Sequence, residues 1–316
     1  MSLPILIIVA YTAYSPYPNG DGVPFNRKMN GIWLAHRWFT GDYKESEVSE
    51  LVLRLKNNDI KYIFLHAGPL KTDGEIPAYS LETVRYFIRA VKVLSPDIVV
   101  LAWLGGLNKE FKGNLDIGQN EVIMRIGNVS RELVDTGFDG IHLNIEPLRD
   151  GDRNFIRLLS SIKEMIGSEK ILSVASMKWR GIRIPHIWHD KWFWGTGYYK
   201  DVAKEVDQVV TMLYDTSIPL KKAYVWYIKN QTRNILNAVA VSGNLQCEVL
   251  IGLPAYDKKT RVHNPEVENI ENGLYGVIAG LEKWNQKAGF AGVAIYAHWV
   301  MDEKEWMTYR RLWTGE

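Results

Sequence analysis

Short apolar runs rich in β-branched and aromatic residues alternate along the chain with longer segments whose apolar residues recur every three or four positions. The first pattern is typical of buried β-strands and the second of amphipathic helices. Eight strands are predicted, at Ile32–Phe39, Tyr62–Ala67, Ile98–Leu104, Gly140–Ile145, Ile171–Ser176, Gln208–Tyr214, Glu248–Leu253 and Gly292–His298. Strictly alternating strands and helices predict parallel βα units.

Helical spacing is clearest in four segments, residues 45–58, 80–94, 120–137 and 154–167, and a last helix is predicted at Glu303–Leu312. Eight units of this kind predict an α/β fold that is a single (β/α)8 TIM barrel. The alternative is an open, doubly wound sheet, which seldom reaches eight units in 316 residues. We expect the barrel to occupy residues 30–316.

Residues 1–29 form an N-terminal extension of the predicted barrel and contain an apolar run, Ile5–Ala10, that is too short to span a bilayer. This run is compatible with the remnant of a secretion or anchor segment and equally with a strand packed on the domain. The first interpretation favours a location outside the cytoplasm. No stable membrane span is expected in the chain.

Charge and cysteine content exclude several classes of function. The chain has 38 Lys and Arg against 36 Asp and Glu, a net charge of +2, which predicts no basic surface for nucleic acid. Cys247 is the only cysteine, no Cys/His group has zinc-site spacing, and no strand is followed by a nucleotide-binding glycine motif. We therefore expect no cofactor and no bound metal.

The predicted fourth strand carries three polar residues, His142, Asn144 and Glu146, on alternate positions. Residues two apart in a strand point to the same side, about 6.5–7 Å from each other. A row of buried polar groups is costly unless its members bind one another or a ligand. The carboxyl ends of barrel strands are where TIM-barrel enzymes hold their catalytic residues, which makes Glu146 a candidate catalytic carboxylate.

The stretch DGIHLNIE, Asp139–Glu146, resembles the D-x-x-D-x-D-x-E signature of glycoside hydrolase family 18, the chitinase and endo-β-N-acetylglucosaminidase family. The first aspartate and the final glutamate are kept. His142 and Asn144 replace the two inner aspartates of the signature.

Other strand ends resemble the same family in the same order. Met212–Asp215 (MLYD) is similar to its M-x-Y-D motif and Gly252–Tyr256 (GLPAY) to its G-[LV]-P-x-Y motif. Trp103–Gly106 (WLGG) resembles S-x-G-G with Trp in the serine place, and Gly292–Tyr296 (GVAIY) resembles the last strand. The resemblance covers roughly residues 30–312.

This resemblance implies a retaining glycosidase in which the N-acetyl oxygen of the substrate is the nucleophile. Glu146 would be the general acid and base, and Asn144 would accept a hydrogen bond from the acetamide. Tyr214 would reach the acetamide oxygen, Asp215 the same sugar or the acid, and His142 would bind the Asn144 side chain. Asp139 completes the motif-based catalytic set.

Aromatic content is high, with 12 Trp and 16 Tyr, and most of these side chains are expected in the core. A minority is expected to bind sugar rings, because flat amphipathic side chains suit glycan clefts. The candidates are Trp103, Tyr256, Tyr296, Trp299, Trp179 and Trp38. The expected partner is an oligo- or polysaccharide that contains N-acetylhexosamine.

Two other functions fit the same residues. A chitinase-like lectin would bind glycans without cleaving them, although this chain keeps Glu146. A metal-dependent barrel hydrolase would use the histidines near the predicted upper strand ends, which are His36, His66, His142 and His298.

Overall fold

A computed structural model describes residues 14–180, 192–282, 284 and 289–315. Eight parallel strands form a closed barrel in chain order, with the last strand paired to the first. They are β1 (Asn30–Leu34), β2 (Ile60–Pro69), β3 (Val99–Leu107), β4 (Gly140–Glu146), β5 (Ile171–Ser176), β6 (Gln208–Met212), β7 (Glu248–Pro254) and β8 (Phe290–Tyr296). The predicted single (β/α)8 barrel is confirmed.

Helices follow the strands around the outside of the barrel. They are α1 (Glu45–Lys56), α2 (Leu81–Leu94), α3 (Asn120–Thr136), α4 (Arg153–Ile166), α5 (Thr196–Glu205), α6 (Lys221–Ala240), α7 (Ile270–Leu281) and α8 (Glu303–Tyr309). Gly137 and Gly167 end α3 and α4 with positive φ angles of 130° and 86°, which favour glycine. A short parallel pair, Lys178–Trp179 with Phe193–Trp194, lies outside the barrel sheet.

The first predicted strand, Ile32–Phe39, is too long at its C-terminal end. Strand β1 ends at Leu34, and Arg37–Thr40 form a helical turn that Gly41 ends with a φ of 87°. Trp38 and Phe39 are consecutive and both buried, which a helical turn over a core permits better than a strand with one buried face.

Apolar side chains form two separate cores. The larger one fills the space between barrel and helices and includes Leu34, Leu65 and Leu104. The smaller one fills the barrel interior and includes Trp33, Phe64, Trp103 and other inward-facing residues. Alternate residues of each strand thus face opposite cores, as a two-layer barrel requires.

A row of polar side chains crosses the barrel interior, and we call it the polar belt: Tyr62, Glu248, Gln208, Ser173, His142 and Trp33. Tyr62 OH and Gln208 Nε2 both donate to Glu248 Oε2, at 2.6 and 3.1 Å. Ser173 Oγ donates to Gln208 Oε1 at 2.8 Å, and His142 Nδ1 lies 2.8 Å from Ser173 Oγ. Buried polar groups are tolerated here because each has a partner.

The described part of the N-terminal extension packs against the barrel near α6, α7 and the C-terminal turn. Lys222 Nζ donates to Tyr14 O, the Tyr17 ring contacts Tyr275 edge-on, and Gly22 N donates to Leu312 O. The Ile5–Ala10 run lies outside the described residues. Within the described residues, every helix is too short or too polar to cross a bilayer.

Candidate active site

The polar row of β4 lies on the inner face of the barrel. His142 contacts Phe64 of the inner core, with ring centroids 4.1 Å apart, and Asn144 and Glu146 follow it on the same face toward the C-terminal end of the strand. Glu146, the last residue of β4, therefore lies at the mouth where the chemistry of this fold is found.

Burial raises the pKa of the Glu146 carboxyl above its ordinary value of 4.5. The positive charge of Lys178 and the side chain of Asn144 lower this pKa, and the negative charge of Asp215 raises it. A carboxyl that keeps its proton above the ordinary range is suited to donate it as a general acid.

Two buried polar atoms on β3 and β4, on the inner face of the barrel, have no hydrogen-bond partner among the described residues, namely Asn144 Oδ1 and Trp103 Nε1, and His263 Nδ1 is a third such atom in the site. Asn144 is 9% exposed and Trp103 is 8% exposed. Unpaired buried polar atoms are rare in folded proteins and each is a candidate contact for a ligand.

Tyr214 and Asp215 lie two and three residues after the end of β6, and Tyr256 lies two residues after the end of β7. Tyr256 OH donates to Asp215 Oδ1 at 2.6 Å, and the Tyr214 ring stacks on Tyr296 with centroids 5.3 Å apart. Burial raises the pKa of the Tyr214 hydroxyl well above 10.0, so this group remains a hydrogen-bond donor. Four side chains predicted from three separate motifs are thus brought together.

Three further charged or titratable residues adjoin this group and were not predicted: Lys178, His263 and Glu268. His263 Nδ1 lies 3.6 Å from Glu268 Oε2 and 3.9 Å from Asp215 Oδ1. The Glu268 carboxylate is fully buried and accepts hydrogen bonds from Thr216 N and Oγ1. Lys178 comes two residues after β5, a strand-end position that could have indicated it, whereas His263 and Glu268 lie between β7 and α7 without a motif.

His142 does not bind Asn144 as the sequence suggested, because other groups occupy both of its ring nitrogens. Nε2 accepts from Trp33 Nε1 at 3.2 Å. Since Ser173 Oγ donates its own proton to Gln208, it accepts from His142, and the proton of His142 therefore lies on Nδ1. Complete burial lowers the pKa of His142 to about 3, so the ring is neutral.

Asp139 does not lie with the other predicted catalytic residues. It precedes the first residue of β4, so about 23 Å of strand, at roughly 3.3 Å per residue, separates it from Glu146. Its Oδ2 accepts from Val100 N at 2.8 Å and pairs with Lys92 Nζ at 2.7 Å. Its position therefore fits the anchoring of β4 to β3 and α2 and does not fit the catalytic set.

Among the predicted sugar-binding aromatic residues, Tyr256, Tyr296 and Trp299 lie together with Tyr214 at the candidate site. Tyr296 contacts Tyr214, Tyr256 and Trp299, and Trp299 is 45% exposed beside it, as a sugar platform requires.

Trp38 is a correction to that set. It is 3% exposed and packs between Tyr43 and Phe87 in the outer core, where no sugar ring reaches it. Trp179 is half-buried on the small strand pair, and its Nε1 donates to Thr196 Oγ1 at 3.0 Å.

The histidines considered for a metal site do not converge with Glu146. His36 Nδ1 lies 2.9 Å from His66 O, and His142 is held by the polar belt. In the described part of the chain, no three His, Cys, Asp or Glu side chains form a group that could hold a metal ion.

The fold is similar to that of solved structures of low sequence identity. The Bacillus cereus spore cortex-lytic enzyme SleL is 13% identical, with 90% of this chain and 74% of that chain covered and a TM-score of 0.61. A group IV chitinase from Ostrinia furnacalis is 12% identical over 91% of this chain and 100% of that chain, with a TM-score of 0.58.

A family 18 chitinase mutant from Cycas revoluta in complex with (GlcNAc)4 is 12% identical over 90% of this chain and 98% of that chain, with a TM-score of 0.56. At these identities the likeness establishes the fold. A search among curated protein sequences found no match. The family model described as "Glycosyl hydrolases family 18" matches residues 37–312. Because this match covers most of the barrel, the chain belongs to glycosyl hydrolase family 18.

Proposed function

We propose that this protein hydrolyses β-linked glycans that contain N-acetylglucosamine, with retention of configuration and with Glu146 as the acid and base. The observation that carries the proposal is the position of Glu146: a carboxyl of raised pKa at the mouth of the barrel, beside the unpaired amide oxygen of Asn144. A bound acetamido group offers the N–H that this oxygen lacks.

In the first step Glu146 donates its proton to the glycosidic oxygen, and the bond between that oxygen and the anomeric carbon breaks. The acetamide oxygen of the substrate attacks the anomeric carbon from the opposite face and forms a cyclic oxazolinium ion. Asn144 Oδ1 accepts from the acetamide N–H and holds the group in position for attack.

In the second step the Glu146 carboxylate removes a proton from a water molecule, and this water attacks the anomeric carbon on the face that the leaving group vacated. The oxazolinium ring opens, the acetamide is restored and Glu146 regains its proton. No cofactor takes part in either step.

Two neutral residues replace the acidic ones of the family signature, and we expect them to slow the first step. Asn144 can orient the acetamide but has no negative charge to stabilise the cationic ring. His142 is neutral and is held by Trp33 and Ser173, so it does not supply the missing charge.

Hydrolysis of (GlcNAc)4 by the Glu146→Gln variant tests this proposal. We expect kcat to fall by about 10²–10⁴-fold, because glutamine cannot donate the proton, while (GlcNAc)4 still binds. The matched control is Glu50→Gln, on the exposed face of α1, which should retain wild-type turnover. Proton NMR of the first products should show the β-anomer.

If the wild-type protein binds (GlcNAc)4 but cleaves none of the tested glycans, the protein is a glycan-binding barrel and not a hydrolase. Mass spectrometry of reactions with chitin oligomers, muropeptides and high-mannose N-glycans would identify the substrate. A wild type that neither binds nor cleaves any of the three would overturn the proposal.

A further inference from the structure

We propose that the indole N–H of Trp103 is a hydrogen-bond donor to the ligand, and that with Asn144 Oδ1 it forms a donor–acceptor pair selective for an acetamido group. This inference rests on the proposed function and assigns Trp103 a role in specificity: it makes the site discriminate an N-acetylated sugar from the free amine.

The first support is the cost of the unliganded arrangement. Trp103 Nε1 and Asn144 Oδ1 are both buried, in side chains that are at least nine-tenths covered, and neither has a partner among the described residues. The buried polar groups of the polar belt, by contrast, are satisfied: His142, Ser173 and Gln208 bind one another. One donor and one acceptor on neighbouring strands therefore have no hydrogen-bond partner among the described residues.

The second support is that the two atoms lie at the same level of the barrel. Strands β3 and β4 pair in register, with Trp103 opposite His142 and Gly105 opposite Asn144. A Cβ placed on Gly105 would lie 3.6 Å from Trp103 Nε1, so the indole edge reaches one residue pair upward, to the level of Asn144. Gly105 has no side chain that could fill the space between them.

The third support is the chemistry of the ligand. A secondary amide has one N–H donor and one carbonyl oxygen with two lone pairs, so it can use Asn144 Oδ1 and Trp103 Nε1 together. The oxygen can accept from Trp103 and from Tyr214 at once. A protonated sugar amine has donors but no acceptor, so it leaves the Trp103 N–H unpaired in a buried place, and sites built around a hydrogen bond reject such analogues.

The decisive experiment measures binding of (GlcNAc)4 and of its de-N-acetylated analogue (GlcN)4, using Glu146→Gln protein so that no hydrolysis occurs. Calorimetry gives the first affinity and competition gives the second. Trp103→Phe removes the N–H and keeps an aromatic ring. We expect it to reduce the preference for (GlcNAc)4 over (GlcN)4 by about tenfold, since a hydrogen bond to a buried group is worth about 1.4 kcal/mol, which is a factor of ten.

The matched control is Trp306→Phe. Trp306 Nε1 is also buried and without a partner among the described residues, but it lies on α8 in the outer core. This variant removes the same N–H group and the same side-chain volume. Because Trp306 lies in the outer core and not in the barrel interior, the substitution should not change the preference between the two ligands.

Equal losses of affinity for both ligands in Trp103→Phe would overturn the inference, since they would show a packing role. An unchanged preference would overturn it as well, while leaving the proposed function intact. If the Glu146→Gln protein binds neither ligand and the wild type cleaves no glycan, both proposals fail.

Discussion

Glu146 lies between charges of opposite sign, and this sets the pH range in which it can act. Lys178 lowers its pKa and Asp215 raises it, while burial dominates and keeps it raised. The same Lys178 is itself largely buried, and the loss of hydration lowers the pKa of its ammonium group. The acid therefore depends on neighbours from β5 and β6 as well as on its own strand.

Lys178→Met should move the pH profile of hydrolysis toward the basic side. Removing the positive charge raises the pKa of Glu146 further, so the acid keeps its proton to higher pH. Asp215→Asn removes a negative charge and should move the basic limb of kcat/KM toward lower pH. The measurement is kcat/KM for a chromogenic N-acetylglucosaminyl substrate across the range from weakly acidic to weakly basic pH.

Opposite displacements of that limb in the two variants are the expected result, whatever the change in maximal rate. Lys204→Met, on the exposed side of α5, is the charge-matched control and should leave the limb in place. Displacement of both limbs in the same direction would show that direct charge interaction with Glu146 is not the cause.

Sequence could predict the places of candidate residues that a strand or a motif positions, and these are Glu146, Asn144, Tyr214 and Asp215. It could not predict His263 and Glu268, because a long connection after β7 brings them back to Asp215 through tertiary packing. Trp38 is an aromatic residue within the predicted first strand, Ile32–Phe39, and its residue type made it a candidate for sugar binding. Its burial between Tyr43 and Phe87 depends on α2, which is distant in sequence.

Among the elements, β4 and β5 were predicted with limits within one residue of the observed ones. β5 reads as a short, mostly apolar run, and β4 as a run that alternates apolar and polar residues before Pro147. The end of β1 was wrong because the short run Leu34–Phe39 places two polar residues between two apolar pairs, a pattern too short to separate a strand from a helical turn. Only the position of the outer core, which takes both Trp38 and Phe39, distinguishes the two conformations.

Close packing of α7 against α6 depends on glycine. A Cβ on Gly276 would lie 2.4 Å from Ile228 Cβ and 2.9 Å from Val225 O. Gly276→Ala should therefore destabilise the protein by about 1–3 kcal/mol, because overpacking exceeds the gain in helix propensity of about 1 kcal/mol. Urea unfolding monitored by tryptophan fluorescence measures the change.

The same substitution in α5 provides the control. A Cβ on Gly197 would have no other atom within 4 Å, so Gly197→Ala should be neutral or slightly stabilising. Equal stability of the two variants would show that α6 moves aside at little cost and that the helix contact is not tight.

At the scale of the whole molecule, Asn30 joins the first strand of the barrel to the last strand and to the C-terminal turn. Its Oδ1 accepts from Val293 N at 3.1 Å and from Trp313 Nε1 at 2.9 Å, and its Nδ2 donates to Asp59 O at 3.0 Å. The residue is fully buried, and it thereby connects β1 to β8 and to the C-terminal turn.

Asn30→Leu should lower the free energy of unfolding by several kcal/mol. The substitution leaves Val293 N–H and Trp313 Nε1–H buried without an acceptor, at about 1–3 kcal/mol each. Asn30→Asp keeps the acceptor and should lose less. Asn234→Ala, on α6, removes one local bond to Asn230 O and serves as the control in the same denaturation series.

The overall architecture was predictable because eight repeated βα units leave few topologies, and short motifs at successive strand ends fix their order. The path of residues 14–29 could not be predicted. Its contacts with Tyr275 and Leu312 join positions more than 250 residues apart, and neither hydrophobic spacing nor turn signals record such pairs.

The polar belt has a direction. Each hydrogen bond in it is donated toward Glu248. The donors on one side are, in order, Trp33, His142, Ser173 and Gln208, and Tyr62 donates to Glu248 from the other side. Glu248 opens β7 at the opposite end of the barrel from the acid. The Trp33 N–H at one end of the row, which can only donate, and the Glu248 acceptor at the other end thus agree in placing the imidazole proton on Nδ1. A Glu248→Gln substitution, whose amide group can both donate and accept, would remove the constraint at that end, while the Trp33 N–H, which can only donate, would still hold the proton of His142 on Nδ1.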